Sequence, residues 1–254
     1  MRVDVRKFGS SGSLRFQTSG PVGIVTINRP YHKNALSREM WKTLGDWCNT
    51  VPLKTKLLIL RGSGSSFTAG SDIKEFSRLT TDEANEAFET MERAIHAVEF
   101  LTIPTIAAIN GPAYGAGFIL SLACDLRIGT NQAKFGMPVG KLGITLQAPF
   151  VRRMVQTIGP SRTKELVFTA RSYSAEEALQ TGILNEIVSQ SNLDNRVFQL
   201  SKTILQQSQA SIASVKEGVK NVVNGCTESS REWVDKRDFL EGVQAFTQKR
   251  AAHF

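Results

Sequence analysis

The stretch "INGPAYGAGFILSLACD" (residues 109–125) joins an apolar approach, a proline and three glycines to an apolar helical run. The residues before it, "TIPTIAA", read as a short buried strand. The first turn of a helix leaves backbone N–H groups unpaired, and the aligned peptide dipoles make that end mildly positive. The stretch therefore predicts a strand, a glycine turn and a helix whose first amides face a ligand.

The same order of elements occurs earlier in the chain. "TKLLILRG" (55–62) is a continuous apolar run, which is typical of a strand buried on both faces, and "SGSSFTAGSD" (63–72) is a loop followed by a helix that begins near Asp72. This alternation predicts an α/β layered core with buried strands. Two such loops that converge would place two N–H donors on one oxygen, the geometry that stabilises an oxyanion forming from a carbonyl.

The glycines of these loops have a steric role. Without a Cβ, Gly70, Gly115 and Gly117 would let a ligand approach the backbone closely, although for a single loop ordinary turn formation is the favoured explanation. Their spacing differs from the dinucleotide pattern G-x-G-x-x-G and from the phosphate loop that ends in Gly-Lys-Ser. The sequence therefore predicts neither a nicotinamide site nor an ATP site.

The helices carry recognisable start signals. Ser37 is a plausible N-cap for a helix with Met40, Trp41 and Leu44 on one face, and the charged helix after the first loop is expected to be capped at Thr81 or Asp82. From about residue 191 the chain consists of long amphipathic helices. We therefore divide it into a ligand-binding core (1–190) and a helical region (191–254) that packs on the core or on another subunit.

The composition limits the class of ligand and the compartment. There are 31 Lys and Arg against 23 Asp and Glu, which favours an anionic partner, but the basic residues are scattered, so a phosphate-bearing small molecule fits better than nucleic acid. Neither an apolar run of about 18 residues nor a signal-type N-terminus is visible, so no membrane association is expected. Separated cysteines and only 3 histidines predict reduced thiols, a cytoplasmic location and no metal site.

Several motifs together resemble the crotonase, or enoyl-CoA hydratase/isomerase, superfamily. They occur in the family's order and cover almost the whole chain. The matching pieces are "NRPYHKNALS", "FTAGSDIKEF", "IPTIAAINGPAYGAGFILSLACDLRI", "AKFGMPVGKLGI", "GPSRTKELVFTARSYSAEEALQTGILNEIV" and "EGVQAFTQKR".

The resemblance implies a crotonase-like fold of repeated β-β-α turns with a helical C-terminal trimerisation region, and hence a homotrimer or homohexamer. It implies a coenzyme A thioester as substrate and no permanently bound cofactor. By position, the oxyanion donors map onto the backbone N–H groups of Ser71 and Ala116.

The resemblance also assigns residues that line the ligand. Lys33, Ala35 and Leu36 fall where the family holds the CoA phosphates and adenine, although Lys33 also reads as a solvated surface lysine. The remaining substrate-binding positions are Ala69, Asp72, Ile73, Gly115, Pro138 and Leu142.

Two departures from the family pattern bear on the reaction. A hydratase of the family uses two glutamates, and Ile119 and Val139 stand in their places here. Positioned acid–base groups contribute typically 10²- to 10⁴-fold, and neither side chain carries a proton. We therefore expect a drier pocket and impaired hydration, which leaves isomerisation, decarboxylation or C–C cleavage through the same enolate; the alternative is a non-catalytic acyl-CoA binding or assembly subunit.

A relocated acid or base would have to come from another polar residue. Tyr114 adjoins the second loop and would either donate through its phenol or pack. Each of the others also has a structural reading: a helix start for Asp72, pairing within its own helix for Glu75, a helix-closing or backbone-binding role for Asp125, and surface or core positions for His96 and Lys141.

Overall fold

A computed structural model of the protein describes residues 6–10, 12–226 and 232–254, with the backbone alone for residues 6–10. The strands form a large sheet of seven strands and a small sheet of three. In chain order the strands are β1 (Arg6–Ser10), β2 (Leu14–Ser19), β3 (Val22–Ile27), β4 (Leu57–Gly62), β5 (Thr105–Ile109), β6 (Ala113–Tyr114), β7 (Leu126–Thr130), β8 (Phe135–Gly136), β9 (Ser172–Tyr173) and β10 (Glu186–Val188).

Helices connect most of the parallel strands. Short 3₁₀ turns lie at Pro30–His32, Val139–Leu142 and Gln190–Asn192. The α-helices are α1 (Arg38–Asn49), α2 (Ile73–Phe76), α3 (Thr81–Glu99), α4 (Ala116–Ala123), α5 (Ala148–Thr169), α6 (Ala175–Gln180), α7 (Leu193–Leu205), α8 (Gln209–Val223) and α9 (Lys236–Thr247).

The order of strands brings the ends of β4 and β5 side by side. The large sheet runs β1-β2-β3-β4-β5-β7-β10, antiparallel from β1 to β3 and parallel from β3 to β10. In the small sheet β8 lies between β6, to which it is parallel, and β9, to which it is antiparallel. Because β4 and β5 are parallel neighbours, the two glycine loops that follow them leave the same edge of the sheet.

The central strands are buried on both faces, as their continuous apolar runs predicted. In β4, Leu58 and Leu60 belong to the main core, whereas Leu57 and Ile59 belong to a second cluster on the opposite face. Side chains alternate between faces along a strand, so one helix layer is needed on each side. The second face is covered by α7, the first helix of the predicted helical region; the division at residues 190 and 191 stays a prediction.

Two helices on the main face begin where local chemistry allows. Ser37 caps α1, with its side chain accepting from the N–H of Met40 at 3.2 Å, as predicted. The cap of α3 is Thr80, so the expectation of Thr81 or Asp82 was wrong. Thr80 is the N-cap because its hydroxyl and its N–H form a reciprocal capping box with Glu83. An N-cap one residue later would lose these two hydrogen bonds.

The last two helices leave much apolar surface uncovered within the described part of the chain. Lys216 ties α8 to the core, with its Nζ 2.6 Å from Asp125 Oδ2 and 2.9 Å from the carbonyl oxygen of Ile103. No helix among the described residues is long and apolar enough to cross a membrane. The exposed apolar side chains of α8 and α9 include Val215, Val219, Val222, Phe239, Leu240, Val243 and Phe246.

A buried ion cluster clamps α3 to α5. The side chain of Arg153 is only 2% exposed; its Nη1 lies 2.7 Å from Glu92 Oε2 and its Nη2 lies 2.7 Å from Glu99 Oε2. Glu92 therefore depends on the Arg153 guanidinium, whereas Glu99 also pairs with Arg152, whose Nη2 lies 3.3 Å from Glu99 Oε1. This pairing fixes α3, which packs against α1 and α4 near the glycine loops.

We expect Arg153→Ala to lower the free energy of unfolding by about 3 kcal/mol, because it leaves the partly buried Glu92 without its counter-charge and removes one of the two guanidinium partners of Glu99. Urea unfolding followed by circular dichroism measures the change. Arg93→Ala is the control on α3, the helix that carries Glu92 and Glu99: Arg93 is 69% exposed in its pair with Glu89, so its loss should cost no more than about 0.5 kcal/mol. Equal losses in the two variants would contradict the clamp.

Candidate active site

The two glycine loops touch each other directly. A Cβ added at Gly70 would lie 2.7 Å from the carbonyl oxygen of Tyr114 and 3.0 Å from the amide nitrogen of Ala116. A Cβ added at Gly117 would lie 2.5 Å from the carbonyl oxygen of Thr68. A side chain at Gly70 or at Gly117 would clash with the opposite loop, so the two glycines make room for that loop. The expectation that they make room for a ligand is not what the structure shows at these two positions.

The amide of Ser71 points out of the first loop. Residues 36 and 71 form an isolated parallel bridge, in which Leu36 N–H donates to Gly70 O at 2.8 Å and Asp72 N–H donates to Leu36 O at 2.9 Å. The C=O of Gly70 and the N–H of Ser71 belong to one planar trans peptide, so they point in opposite directions. Because the carbonyl faces Leu36, the amide of Ser71 faces away from it.

The amide of Ala116 is oriented by the same rule. Gly115 caps α4 at φ 54°, and its carbonyl accepts from Ile119 N–H at 3.2 Å along the helix. The Ala116 N–H, which shares that peptide plane, therefore points outward from the start of α4. This is the end at which a helix is mildly positive.

Neither of these amides has an acceptor within the described ranges, although their neighbours do. Gly70 N–H donates to Thr68 Oγ1 at 3.0 Å and Gly115 N–H donates to Gly136 O at 2.9 Å. For Ser71 and Ala116 no backbone or side-chain acceptor is found among residues 6–10, 12–226 and 232–254. Two free N–H groups on touching loops can both donate to one ligand oxygen.

Asn34, which the sequence analysis missed, holds the first loop in place. Its side chain is fully buried: Nδ2 donates to Ser63 O at 2.8 Å and Ser66 O at 2.7 Å, and Oδ1 accepts from Arg29 N–H at 2.9 Å. Its φ of 56° lies in the left-handed region, which Asn tolerates better than most residues. An Asn beside a Pro-containing turn is therefore the local signal from which a left-handed position could have been predicted here.

Thr68 completes this support from within the loop. Its hydroxyl donates to Asn34 O at 2.6 Å while accepting from Gly70 N–H, so one buried oxygen joins the two segments. The carbonyl of Thr68 accepts from Tyr114 N–H at 3.0 Å and thereby joins the second loop. The relative position of the two free amides therefore depends on buried polar groups that lie far apart in sequence.

Both carboxylate oxygens of Asp72 form contacts that stabilise the fold. Oδ2 lies 2.9 Å from Arg29 Nη1, which also donates to Ala35 O at 2.8 Å, and Oδ1 caps α2 by accepting from Lys74 N–H at 3.2 Å. This arrangement agrees with the helix-start reading of Asp72. A carboxylate held in this way is a poor candidate for a general base.

The positions of the absent glutamates are apolar and dry. Ile119 is fully buried and Val139 is 9% exposed, and both belong to the main core. Ile119 lies on α4, whose first amide is that of Ala116, and Val139 begins the 3₁₀ turn after β8. Neither position offers a group that can order water.

Tyr114 uses its hydroxyl within the small sheet. The phenol oxygen lies 3.0 Å from Ser172 Oγ, and the ring lies so close to Gly136 that a Cβ there would be 2.6 Å from it. These contacts agree with the packing interpretation of Tyr114.

Two other carboxylates serve the backbone. Glu75 Oε2 accepts from Arg38 N–H, at the start of α1, at 2.9 Å. The expectation that Glu75 pairs within its own helix was wrong, because the unpaired first amides of α1 lie closer than any cation of α2. Asp125 binds backbone as predicted, since its Oδ2 accepts from Thr105 N–H at 2.7 Å.

The remaining candidates lie away from the two amides or are chemically inert. His96 is exposed and stacks on Phe100, in a cleft of about 680 Å³ whose lining includes none of the predicted site residues. Burial raises the pKa of Cys48 and of Cys124 to about 12, so both thiols stay protonated. Lys141 is exposed on the 3₁₀ turn. The described residues contain no cluster of three or more His, Cys, Asp or Glu that could hold a metal ion.

The predicted ligand-lining residues differ in exposure. Lys33, Ile73 and Leu142 are exposed, and Ala69 and Pro138 are half-buried. Ala35 and Leu36 are buried. The N–H and the C=O of Leu36 both form hydrogen bonds with the first loop, so Leu36 supports that loop. Contact of any of them with a ligand stays a prediction.

A basic cleft lies beside Asp72. Its volume is about 810 Å³, and Glu39, Asp72 and Glu75 are the acids among its lining residues. The basic side chains that line it are more numerous, so the cleft favours an anionic ligand. They are Arg29, Arg38, Lys42, Lys74 and Arg78.

Comparison with known proteins shows which family and which solved structures the chain is similar to. Residues 17–254 match the family model described as enoyl-CoA hydratase/isomerase. The chain is 31% identical to a short-chain-enoyl-CoA hydratase of Clostridium acetobutylicum, with 92% of this chain and 94% of that protein covered. It is 32% identical to a crotonyl-CoA hydratase of Syntrophomonas wolfei, with 92% and 94% covered. An enoyl-CoA hydratase/carnithine racemase structure from Magnetospirillum magneticum superposes with a TM-score of 0.91 at 28% identity, covering 98% of this chain and 96% of that one.

We expect Gly70→Ala to lower the free energy of unfolding by about 2 kcal/mol, because the new methyl would clash with the backbone of residues 114 and 116 at a φ of 90°. Gly140→Ala is the matched control, since nothing lies within 4 Å of a Cβ there and its φ is not in the left-handed region. Thermal and urea unfolding measure both variants. A Gly70→Ala protein as stable as Gly140→Ala would mean that the loops do not touch as described.

Proposed function

The chain belongs to the enoyl-CoA hydratase/isomerase family, and we propose that it transforms an acyl-CoA thioester by holding the enolate oxygen between the backbone amides of Ser71 and Ala116. The observation that carries the proposal is that these two amides point out of touching loops and have no acceptor among the described residues. A thioester carbonyl is the group that gains negative charge when a bond at its α-carbon breaks. Coenzyme A arrives with the substrate, and no resident cofactor is proposed.

Two backbone N–H donors can stabilise the transition state of enolate formation by a useful amount. One preorganised N–H donor contributes roughly 3 to 4 kcal/mol to a transition state in which an oxyanion forms. The loops are fixed by buried partners such as Asn34 and Thr68, so little reorganisation is required when the charge develops. Because the donors are backbone groups, Ala116 in place of a glycine keeps the hydrogen that matters.

The reaction that we propose excludes efficient water addition. Ile119 and Val139 bring no acid, no base and no partner for a water molecule, and their burial lowers the local polarity. Reactions that need an enolate without activated water remain: double-bond isomerisation, decarboxylation or C–C cleavage. The proposed reaction therefore differs from the hydration for which two of the relatives are named.

For the ligand, we propose that the phosphorylated part lies along Lys33, Ala69 and Ile73, next to the basic cleft. The acyl part would face the apolar side, where its lining comprises Gly115, Pro138, Val139 and Leu142. The exposed apolar side chains of α8 and α9 fit burial in a homotrimer or homohexamer, and a cytoplasmic location is proposed with it.

A non-catalytic acyl-CoA binding subunit is the second candidate. It is favoured by the full burial of Ile119 and by the engagement of Asp72, Glu75 and Asp125 in structural hydrogen bonds. Incubation with crotonyl-CoA, a 3-enoyl-CoA and malonyl-CoA separates the two, with mass spectrometry reporting hydration or decarboxylation and the absorbance of a conjugated thioester reporting isomerisation, which leaves the mass unchanged. Binding without any product would favour the second candidate.

We expect hydration of crotonyl-CoA to be at least about 100-fold slower than by a two-glutamate hydratase assayed alongside, because two acid–base groups are absent. The loss of absorbance of the conjugated thioester measures the rate. A rate within tenfold of that hydratase would show that water is activated by groups outside positions 119 and 139.

We expect Ala116→Pro to abolish turnover and Ala116→Gly to preserve it within about threefold. Proline is tolerated at the first position of a helix, so the first variant removes the amide hydrogen with little other change. Circular dichroism confirms the fold, and product formation from whichever thioester the protein converts gives the readout. Equal activity of the Pro and Gly variants would rule out a backbone donor at this position.

A further inference from the structure

The side chain of Ser71 is held between two helices. Its Oγ accepts a hydrogen bond from Trp41 Nε1, on α1, at 3.0 Å, and its hydroxyl hydrogen points to Met91 Sδ, on α3, at 3.1 Å. Trp41 and Met91 are each 2% exposed, so water has little access to this chain of contacts. The Ser71 hydroxyl therefore uses its hydrogen and one of its lone pairs in contacts with the two helices.

The backbone hydrogen bonds restrain the peptide between Gly70 and Ser71 only from the side of Leu36. The bridge to Leu36 restrains the carbonyl end of the peptide that carries the Ser71 amide. The preceding residue is Gly70 at φ 90°, and glycine resists rotation of its peptide less than any other residue. A second restraint on Ser71, acting from the direction of α1 and α3, limits that rotation.

We infer that Trp41 is a positioning residue, which sets the direction of the Ser71 amide through the Ser71 hydroxyl. The inference rests on the proposed function, because only a polarised thioester carbonyl would report that direction. The side chain of Trp41 is also large and fully packed, so its loss would affect stability as well. The test therefore needs a readout that stability alone does not move.

Infrared spectroscopy of a bound thioester provides that readout. A hole with two donors lowers the stretching frequency of the thioester carbonyl, which a 13C label at that carbon isolates from protein bands. Hexanoyl-CoA labelled in this way is the probe, and Trp41→Phe, Ser71→Ala and the double variant are compared with the wild type. Trp47→Phe is the matched control on α1, where the ring packs on the core and near Phe16, away from Ser71.

We expect Trp41→Phe and Ser71→Ala each to lose at least half of the downshift and about tenfold in kcat, while the dissociation constant of free CoA changes less than twofold. The double variant should be no worse than either single variant, because both changes break one chain of contacts. Trp47→Phe should keep the downshift.

Each contrary outcome has a definite meaning. Additive losses, or a downshift that survives in both single variants, would overturn the positioning role and leave the oxyanion hole standing. A wild-type protein that binds hexanoyl-CoA without any downshift would overturn the proposed function itself, and the inference with it.

Discussion

The contact between the two glycine loops is the constraint on which the rest of the site depends. A side chain at Gly70 or Gly117 would collide with the backbone of the opposite loop. The loops meet because β4 and β5 are adjacent and parallel, so both chains turn at the same edge of the sheet. Their approach leaves two amides without acceptors among the described residues, and the proposed reaction depends on those amides.

The support for this contact is polar and buried. Asn34 and Thr68 bond across segments far apart in sequence, and Arg29 joins Asp72 to the carbonyl of Ala35. A buried polar group without its hydrogen-bond partner raises the free energy of the folded state. These groups therefore favour the one arrangement of the loops in which all of them are paired. The helices α1 and α3 add the contact through Ser71, and the Arg153 cluster fixes α3 in turn.

A site made of backbone amides tolerates change in the side chains around it. The proposed enolate chemistry requires N–H groups, which every residue except proline supplies. Acid and base groups, in contrast, are lost with one substitution each, as at Ile119 and Val139. Under the proposed function, this difference lets a chain keep its family's fold and the geometry of the two loops while its reaction departs from hydration.

Local sequence determined the elements and their burial. The apolar run of β4, the Ser37 cap and the glycine turn before α4 depend on contacts within a few residues, so pattern alone predicted them. Only the tertiary structure decided what the polar groups bind: Glu75 reaches α1, Gly70 faces residues 114 and 116, and Asn34 spans two loops. The direction of an N–H follows from the partner of the carbonyl in the same peptide, and for Ser71 that partner, Leu36, is brought near only when the chain folds.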